Sequence, residues 1–442
     1  MFTKIIAFLT ALIMIFSPYA MSVIGATEGE PIIAAEREHV YDADRLLTGV
    51  YCFPKDGRFD TLLGYLDDAG IDFFIGSWGQ NLTEDDFARL QELGMGIFAP
   101  NSEYYRTVDS DAVWGIDLRD EPNAADFDDL AAAVAAQYEQ NPKRLPVVNL
   151  FPMYASDDQL GEYPAIEPPG NPGVPFDSFN SSAVSYRMHV SDYINRFDSD
   201  VISVDIYPLN MAHDDARTLS TWDKWLRNLD ILAEACRKTN RDLWVITQAA
   251  GNYVDDNGGQ RYCDTVGDQR WQNYVSLAFG AKAIIYACFY TGWWDADSHM
   301  IDSAGERTDT YYAVKDANAE LAAFADVYGE YENTGTFIVN RLNKDAAGCL
   351  LPLTKCEAKK PSVRTSAPVL VGCFDKTEGD GNAYVITNMY EPQTGKTAQV
   401  TVEFSGASSL TVYRKGGVST VSGSKLDLTL ENEEGVFVEV NG

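Results

Sequence analysis

The sequence predicts an α/β fold, a (β/α)8 TIM barrel with a C-terminal all-β sandwich, on three observations. Eight short apolar runs alternate with amphipathic stretches between residues 46 and 330. These runs are near-continuously apolar, as strands of a parallel sheet covered on both faces are. After Tyr331 the pattern changes to short alternating runs split by Gly, Asn, Asp and Ser, the mark of stacked antiparallel sheets. Eight βα units over roughly 280 residues match a closed barrel in count and size. A doubly wound open sheet would also hold that many strands. No G-x-G-x-x-G or G-x-x-x-x-G-K-[ST] follows any of them, so nucleotide-binding versions lose support and no cofactor is expected.

The barrel strands are expected at Thr48–Phe53, Ile71–Ser77, Gly96–Ala99, Val113–Leu118, Pro146–Leu150, Val201–Ile206, Leu243–Thr247 and Ala283–Cys288. The helical stretches between and after them are Phe59–Ala69, Thr83–Leu93, Phe127–Gln137, Ala183–Phe197, Thr218–Lys238, Gln269–Gly280 and Thr310–Tyr328. One connection is irregular: Tyr154–Ser182 is rich in Pro, Gly and Asp and reads as a long loop leaving strand five. It is either a functional loop over the site or a variable surface insertion. Seven alternating runs follow, at Gly335–Val339, Pro368–Phe374, Ala383–Asn388, Ala398–Phe404, Ser409–Tyr413, Lys425–Leu430 and Gly435–Val440. The expected organisation is a signal peptide at 1–26, the barrel at 27–330 and the sandwich at 335–442.

The signal is read from Lys4 and the apolar stretch Ile5 to Ile24, with small residues at Ala20 and Gly25-Ala26. An uncleaved anchor is the alternative, because the apolar length approaches a spanning helix. Pro18 and the polar Thr27–Glu30 favour cleavage near Ala20 or Ala26. The mature chain is therefore expected outside the cytoplasm, secreted or in the cell envelope, and free of the membrane. With 66 acidic against 34 basic residues, its formal charge of −32 repels nucleic-acid phosphate and anionic lipid. A neutral or cationic ligand remains.

Cysteine and histidine chemistry is poorly supported. The seven cysteines include no C-x-x-C; Cys349 and Cys356 are close enough for a hairpin disulfide, and most of the others read as buried apolar residues. The four histidines show no metal-ligand spacing, so no metal site is expected. Gly76-Ser77-Trp78-Gly79 lacks the spacing of a nucleophile elbow and reads as a turn. Asp255-Asp256-Asn257-Gly258 is half of a calcium loop and reads as a solvated turn.

In a barrel the chemistry lies where the strands end. Those ends carry Trp78, Asp120 and Glu121, Asn149, Asp205 and Tyr207, Gln248, and Trp293, Trp294 and Asp295. The inventory is carboxylates, carboxamides and aromatic rings. Sugars stack on Trp and Tyr and bond through their hydroxyls to Asn, Gln and Asp. Glycosidic cleavage needs a carboxylic acid beside the leaving oxygen and a second carboxylate. A like-charged neighbour and burial raise one carboxyl so that it holds its proton.

These segments resemble a family. Trp114-Gly115-Ile116-Asp117-Leu118-Arg119-Asp120-Glu121-Pro122 resembles the strand-four signature of TIM-barrel glycoside hydrolases of the large retaining clan. That clan includes cellulases, β-mannanases and family 42-type β-galactosidases. In it an Asn-Glu-Pro triplet ends strand four, and some bacterial relatives carry Asp-Glu-Pro. Asp205-Ile206-Tyr207-Pro208 is similar to the strand-six segment whose Tyr supports the nucleophile. Tyr290-Thr291-Gly292-Trp293-Trp294 is similar to the strand-eight platform, Phe279 to Tyr286 to the entry to that strand, and Gly305 to Asn318 to the last helix. The resemblance implies a secreted glycoside hydrolase acting on a polysaccharide or oligosaccharide, with Glu121 as general acid. Asp205 is the first choice for the second carboxylate, and Asp120 shapes its surroundings. Trp78, Asn149, Tyr207, Gln248, Trp293, Trp294 and Asp295 would line sugar subsites.

The chain departs from the clan at strand seven, where Trp244-Val245-Ile246-Thr247-Gln248 puts a carboxamide in place of the nucleophilic Glu. Another carboxylate could serve: Asp205, Asp295 or Asp297. Gln248 could orient a substrate N-acetyl group or a water. Or the barrel binds glycans without cleaving them. The plain structural roles also stand: Glu121 as an acid at a helix N-terminus, Asp120 as a strand-end cap, and Asn149 and Tyr207 as structural hydrogen-bonders. A carboxylate-dependent phosphodiesterase is a weaker option without histidine ligands.

Overall fold

A computed structural model describes residues 23, 26–161, 163, 178–211, 219–251, 253–254, 260–261, 263–290, 296–340, 356 and 358–442. Eight parallel strands close a barrel: β1 (Leu47–Lys55), β2 (Phe73–Gly79), β3 (Gly96–Pro100), β4 (Val113–Asp120), β5 (Leu145–Leu150), β6 (Val201–Asp205), β7 (Asp242–Gln248) and β8 (Ala281–Ala287). Closure comes from β8 pairing β1 in register Leu47↔Ala283 to Val50↔Tyr286. The helices between them are α1 (Phe59–Asp68), α2 (Glu84–Leu93), α3 (Glu103–Thr107), α4 (Phe127–Gln140), α5 (Asp157–Leu160), α6 (Ser178–Arg196), α7 (Leu219–Thr239) and α8 (Val266–Ala278). They are followed by α9 (Asp309–Ala322) and α10 (Ala325–Gly329).

Local chemistry sets the helix ends. Thr83 accepts from the Asp86 N–H while Asp86 bonds back to Thr83, a capping box that starts α2, and Gly94 ends it in the left-handed conformation at φ 67. Thr265 and Asp268 form the same box on α8. Three expectations need correction. The 154–182 connection is not a structureless loop throughout: Ser156 caps the short α5, and α6 already begins at Ser178. The stretch Thr310–Tyr328 is two helices, broken at Ala323–Phe324. Gly76–Gly79 is not a turn but the end of β2, which pairs with β1 as far as Lys55↔Gly79.

The N-terminal end of the barrel is filled by rings. Phe73, Phe98, Trp114 and Trp244 cluster with centroids 5.0 to 6.4 Å apart, and Tyr41 from the preceding segment stacks on Trp114 at 5.2 Å. Space for them comes from inward glycines. A Cβ on Gly96 would lie 2.0 Å from the Trp114 ring, and one on Gly49 2.5 Å from Phe73. Large rings seated on glycines make a solid floor, leaving the opposite, C-terminal end for a cleft.

The C-terminal region is two antiparallel sheets. The larger has the order β9 (Tyr331–Val339), β11 (Val369–Lys376), β12 (Asn382–Asn388), β17 (Gly435–Asn441), β14 (Ser409–Arg414), β15 (Gly417–Ser422). The smaller is β10 (Ser362–Thr365), β13 (Ala398–Glu403), β16 (Lys425–Leu430). Their facing residues, among them Val371, Ile386, Val400 and Leu428, form one core. The strands β10 and β15 were not anticipated. Sequence alternation misses them because their residues are exposed or half-buried throughout and carry no buried face. The larger sheet turns its other face to the barrel, where Phe374 and Phe437 pack on Tyr328. Gly372 allows that approach, since a Cβ there would sit 2.3 Å from the Ala278 carbonyl.

Candidate active site

At the barrel mouth the sequence of β4 meets an irregularity that sets the site. The β4–β5 register runs Asp117↔Val147 and then Arg119↔Val148, so Leu118 is an extra residue, a bulge. In a regular strand, residues 117 and 120 face opposite ways. The bulge resets the alternation, so Asp117 and Asp120 share the inner side and raise each other's neighbourhood of charge. Arg119 is exposed and pairs with Asp126 at 3.7 Å. Glu121 follows with left-handed φ 46, its N–H donating to the Asn149 carbonyl at 2.8 Å. A non-glycine residue held there carries strain.

One amide organises the carboxylates. Asn149 on β5 donates one Nδ2 hydrogen to Asp120 Oδ1 at 2.9 Å and another to Asp205 Oδ1 at 2.8 Å. Its Oδ1 accepts from the Ser203 hydroxyl at 2.8 Å, and the two acceptor carboxylates at Nδ2 fix which way the amide faces. Tyr51 from β1 lies by Asp120 and Tyr207 by Asp205, and each favours the charged form of its neighbour. Asp205 is a direct neighbour of Glu121, and its charge and carboxyl contact both raise Glu121.

All four acids are pushed above the ordinary carboxylate range. Burial does most of this for Glu121, with the charges of Asp205 and Asp120 adding to it. Burial leads again for Asp205, with Asp120 adding, while the bonds from Asn149 and Tyr207 work the other way. Asp117 is pushed up to about 7 by burial and then by Asp120. Asp120 is raised by burial, against the bonds from Asn149 and Tyr51. Like charges this close cannot all ionise, and the Glu121–Asp205 pair titrates as a unit holding a proton.

The sequence-derived residues therefore divide. Asp120, Glu121, Asn149, Asp205 and Tyr207 come together. Gln248 is fully buried, and its Nε2 donates to the Leu209 carbonyl at 3.3 Å. Its main-chain N–H and C=O are both held by the Gln272 side chain at 3.0 Å. Trp293, Trp294 and Asp295, and the Asp255–Gly258 turn, lie outside the described residues, as does the side chain of Trp78. Asp297 accepts from Ser303, at 2.7 Å from its hydroxyl. The plain helix-acid role goes to Asn123, which caps the turn at Ala124–Asp126 by accepting from the Ala125 N–H. Sequence reasoning missed Tyr51, Ser203 and Asp117 as site members. A hydroxyl within an apolar strand carries no spacing signal, and Asp117 was quoted only as part of the motif.

A cleft of about 1330 Å³ lies on the floor side, between barrel and sandwich, lined by Arg37, Asp200, Asp242, Lys282 and Glu332 among others. Several of its charges are paired: Arg37 holds Asp198 at 2.6 Å and also Asp200, and Lys282 holds Glu332 at 2.9 Å. It is a seam between domains. Among the described residues, no group of three or more His, Cys, Asp or Glu side chains is arranged to hold a metal ion.

No protein-family model matches the sequence, and no curated protein is similar to it in sequence. Solved structures do share its architecture. A catalytic mutant of a GH42 β-galactosidase from G. stearothermophilus superposes with TM-score 0.51 at 9% identity, over 92% of this chain and 100% of that one. A β-galactosidase from Bacillus circulans sp. alkalophilus gives 0.44 at 9% identity, over 91% of this chain and 100% of that one. An α-L-arabinofuranosidase from Thermotoga maritima gives 0.44 at 9% identity, over 91% and 98%. The likeness is one of fold: a closed eight-stranded parallel barrel, with a β domain behind it in this chain.

Proposed function

We propose that the protein is an exported glycoside hydrolase in which Glu121 protonates the leaving glycosidic oxygen and Asp205 is the second carboxylate. The observation that carries this is the neighbouring Glu121–Asp205 pair at the barrel mouth, with Asn149 donating to Asp205 at 2.8 Å. An acid must keep its proton near neutral pH, and burial beside two negative neighbours does that for Glu121. Asp205 accepts a bond from Asn149, and this bond and nearby Tyr207 favour its charged form, the form needed to meet the developing positive charge at the anomeric carbon.

The two carboxyls are neighbours at the mouth; a retaining pair works at roughly 5–5.5 Å and an inverting one at 6.5–9.5 Å. A substrate oxygen entering the mouth takes the place of Asp205 as the partner of the Glu121 proton, and the pair opens. Asn149 spends both amide hydrogens on carboxylates, so it positions the acids and does not read sugar hydroxyls. Subsite contacts fall to the aromatic residues at the other strand ends.

A second reading is a glycan-binding barrel without hydrolysis, favoured by Gln248, whose buried carboxamide stands at the end of β7 and cannot form a glycosyl ester. One experiment separates the two: the mature protein and Glu121→Gln are incubated with a broad panel of oligosaccharides and polysaccharides. Product release by the parent that vanishes in the variant supports the hydrolase. Equal glycan binding by both with no product from either supports the binder. Recovery of the mature chain outside the cytoplasm tests export.

A further inference from the structure

We propose that Cys356 and Cys373 form a disulfide that locks the sandwich to its barrel-facing strand. Strand β11 carries Cys373, and in the β9–β11 ladder the residue opposite it is Gly335. Gly335 leaves room for a third chain segment: a Cβ there would lie 2.7 Å from Cys356 Sγ and 3.2 Å from Cys356 Cα. Cys356 thus lies over the glycine that faces Cys373, and both free thiols are buried in the sandwich core. A disulfide requires Cα atoms roughly 4.4–6.8 Å apart, and a glycine partner opposite Cys373 leaves the space in which Cys356 Sγ sits.

The surroundings also prepare one of the two as the nucleophile. Cys356 is held below the ordinary thiol range, first by the bond with Cys373 and then by the Ala358 backbone and the charges of Lys360 and Arg237. Cys373 is pushed up. The thiolate of Cys356 attacks a disulfide donor, either oxidised glutathione or a protein disulfide, and expels one thiolate. Cys373 then loses its proton, attacks the mixed disulfide at the Cys356 sulfur and expels the second. Two electrons and two protons pass to the donor, which leaves as two thiols. A chain expected to be exported meets such donors.

The position gives the bond a purpose. The neighbour Gly372 faces the Ala278 carbonyl, and the Cys373 carbonyl accepts from Thr334 at 3.2 Å and Asn333 at 3.4 Å. Thr336 and Asn333 also donate to Ala278, at 2.8 and 3.2 Å. The cross-link ties down the strand through which the sandwich grips the barrel. It also differs from the Cys349–Cys356 hairpin that proximity in sequence suggests; Cys349 lies outside the described residues.

The test is peptide mapping of the full chain after incubation with oxidised glutathione and alkylation of the remaining thiols. The expected result is a linked Cys356–Cys373 peptide pair, lighter by two hydrogens than the reduced pair. Its thermal midpoint should fall by several degrees on adding dithiothreitol, and Cys356→Ser should be insensitive to the reductant. Alkylation of both residues after oxidation, or a Cys349–Cys356 link, overturns the proposal. The comparison of oxidised with reduced parent protein stands even if the serine variant does not fold.

Discussion

The two ends of the barrel treat the same side chain in opposite ways. On the floor side, acids are matched by cations: Arg37 bonds Asp198 and Asp200, and Arg45 bonds Asp72. Burial works to raise Asp198, yet the Arg37 bond and the Ala35 N–H outweigh it and hold the carboxyl below its ordinary range. Asp242 is intermediate, pushed up to about 6 by burial with Lys282 opposing. At the mouth, Asp117, Asp120, Glu121 and Asp205 are partnered by neutral donors and by one another, and all four are raised. Matched charge holds an end together; unmatched charge holds protons. The difference lies in the partners, since burial acts on both ends.

The largest expected effect attacks the mouth. Glu121→Gln should lower hydrolysis by about 10³-fold, within the range for general acids, with an unchanged circular-dichroism spectrum. Loss of the spectrum along with activity would mean Glu121 is structural.

Asn149→Ala should come next, with kcat reduced by roughly 10–100-fold, as removal of a positioning shell does. The amide lowers Asp120 and Asp205 toward their charged forms, so its loss raises both. The acid limb of the pH–rate profile should therefore move to higher pH. An unmoved limb would break the assignment.

Stability should respond in opposite senses at the two ends. Asp117 has its folded pKa raised from 3.8 to about 7, so the folded chain holds the extra proton between those values. Its contribution is lost as pH rises through that window. Asp117→Asn should then stabilise the protein by about 1–2 kcal/mol at pH 8 and by little at pH 4, measured by urea unfolding.

The smallest effect belongs to the floor. Arg37→Met should cost about 1 kcal/mol at pH 7, because Asp198 is partly exposed and its pairing is screened. Asp198 has a lowered folded value, so its contribution is present above the ordinary carboxylate range and fades as pH falls through it. The penalty should shrink at pH 3. Equal penalties at both pH values would mean that Arg37 acts through its stacking on Tyr138, at 3.9 Å, instead.

Much of the scaffold was legible because parallel strands buried on both faces must be apolar throughout. All eight barrel strands lie where the apolar runs put them, with boundaries displaced by a few residues. The site was legible only in part. Asp120, Glu121 and Asp205 announce themselves as acids at strand ends. The bulge at Leu118 does not, because one extra residue leaves no trace in composition and is visible only against the partner strand. Nor does Ser203, whose hydroxyl matters only because Asn149 lies across from it in the β5–β6 ladder. Long-range pairing is a property of two segments together, and a single chain read along its length does not display it.

The glycine seats of the floor separate two kinds of inheritance. An alanine at Gly96 would drive into Trp114, and one at Gly115 would come within 2.2 Å of the Leu145 carbonyl. Such changes are purged at folding, whatever reaction the protein performs. Changes at the mouth meet no such filter, since the acids there are not what keeps the barrel closed. Exposed strand-end residues can therefore be exchanged on this floor without disturbing the rings and glycines that close it.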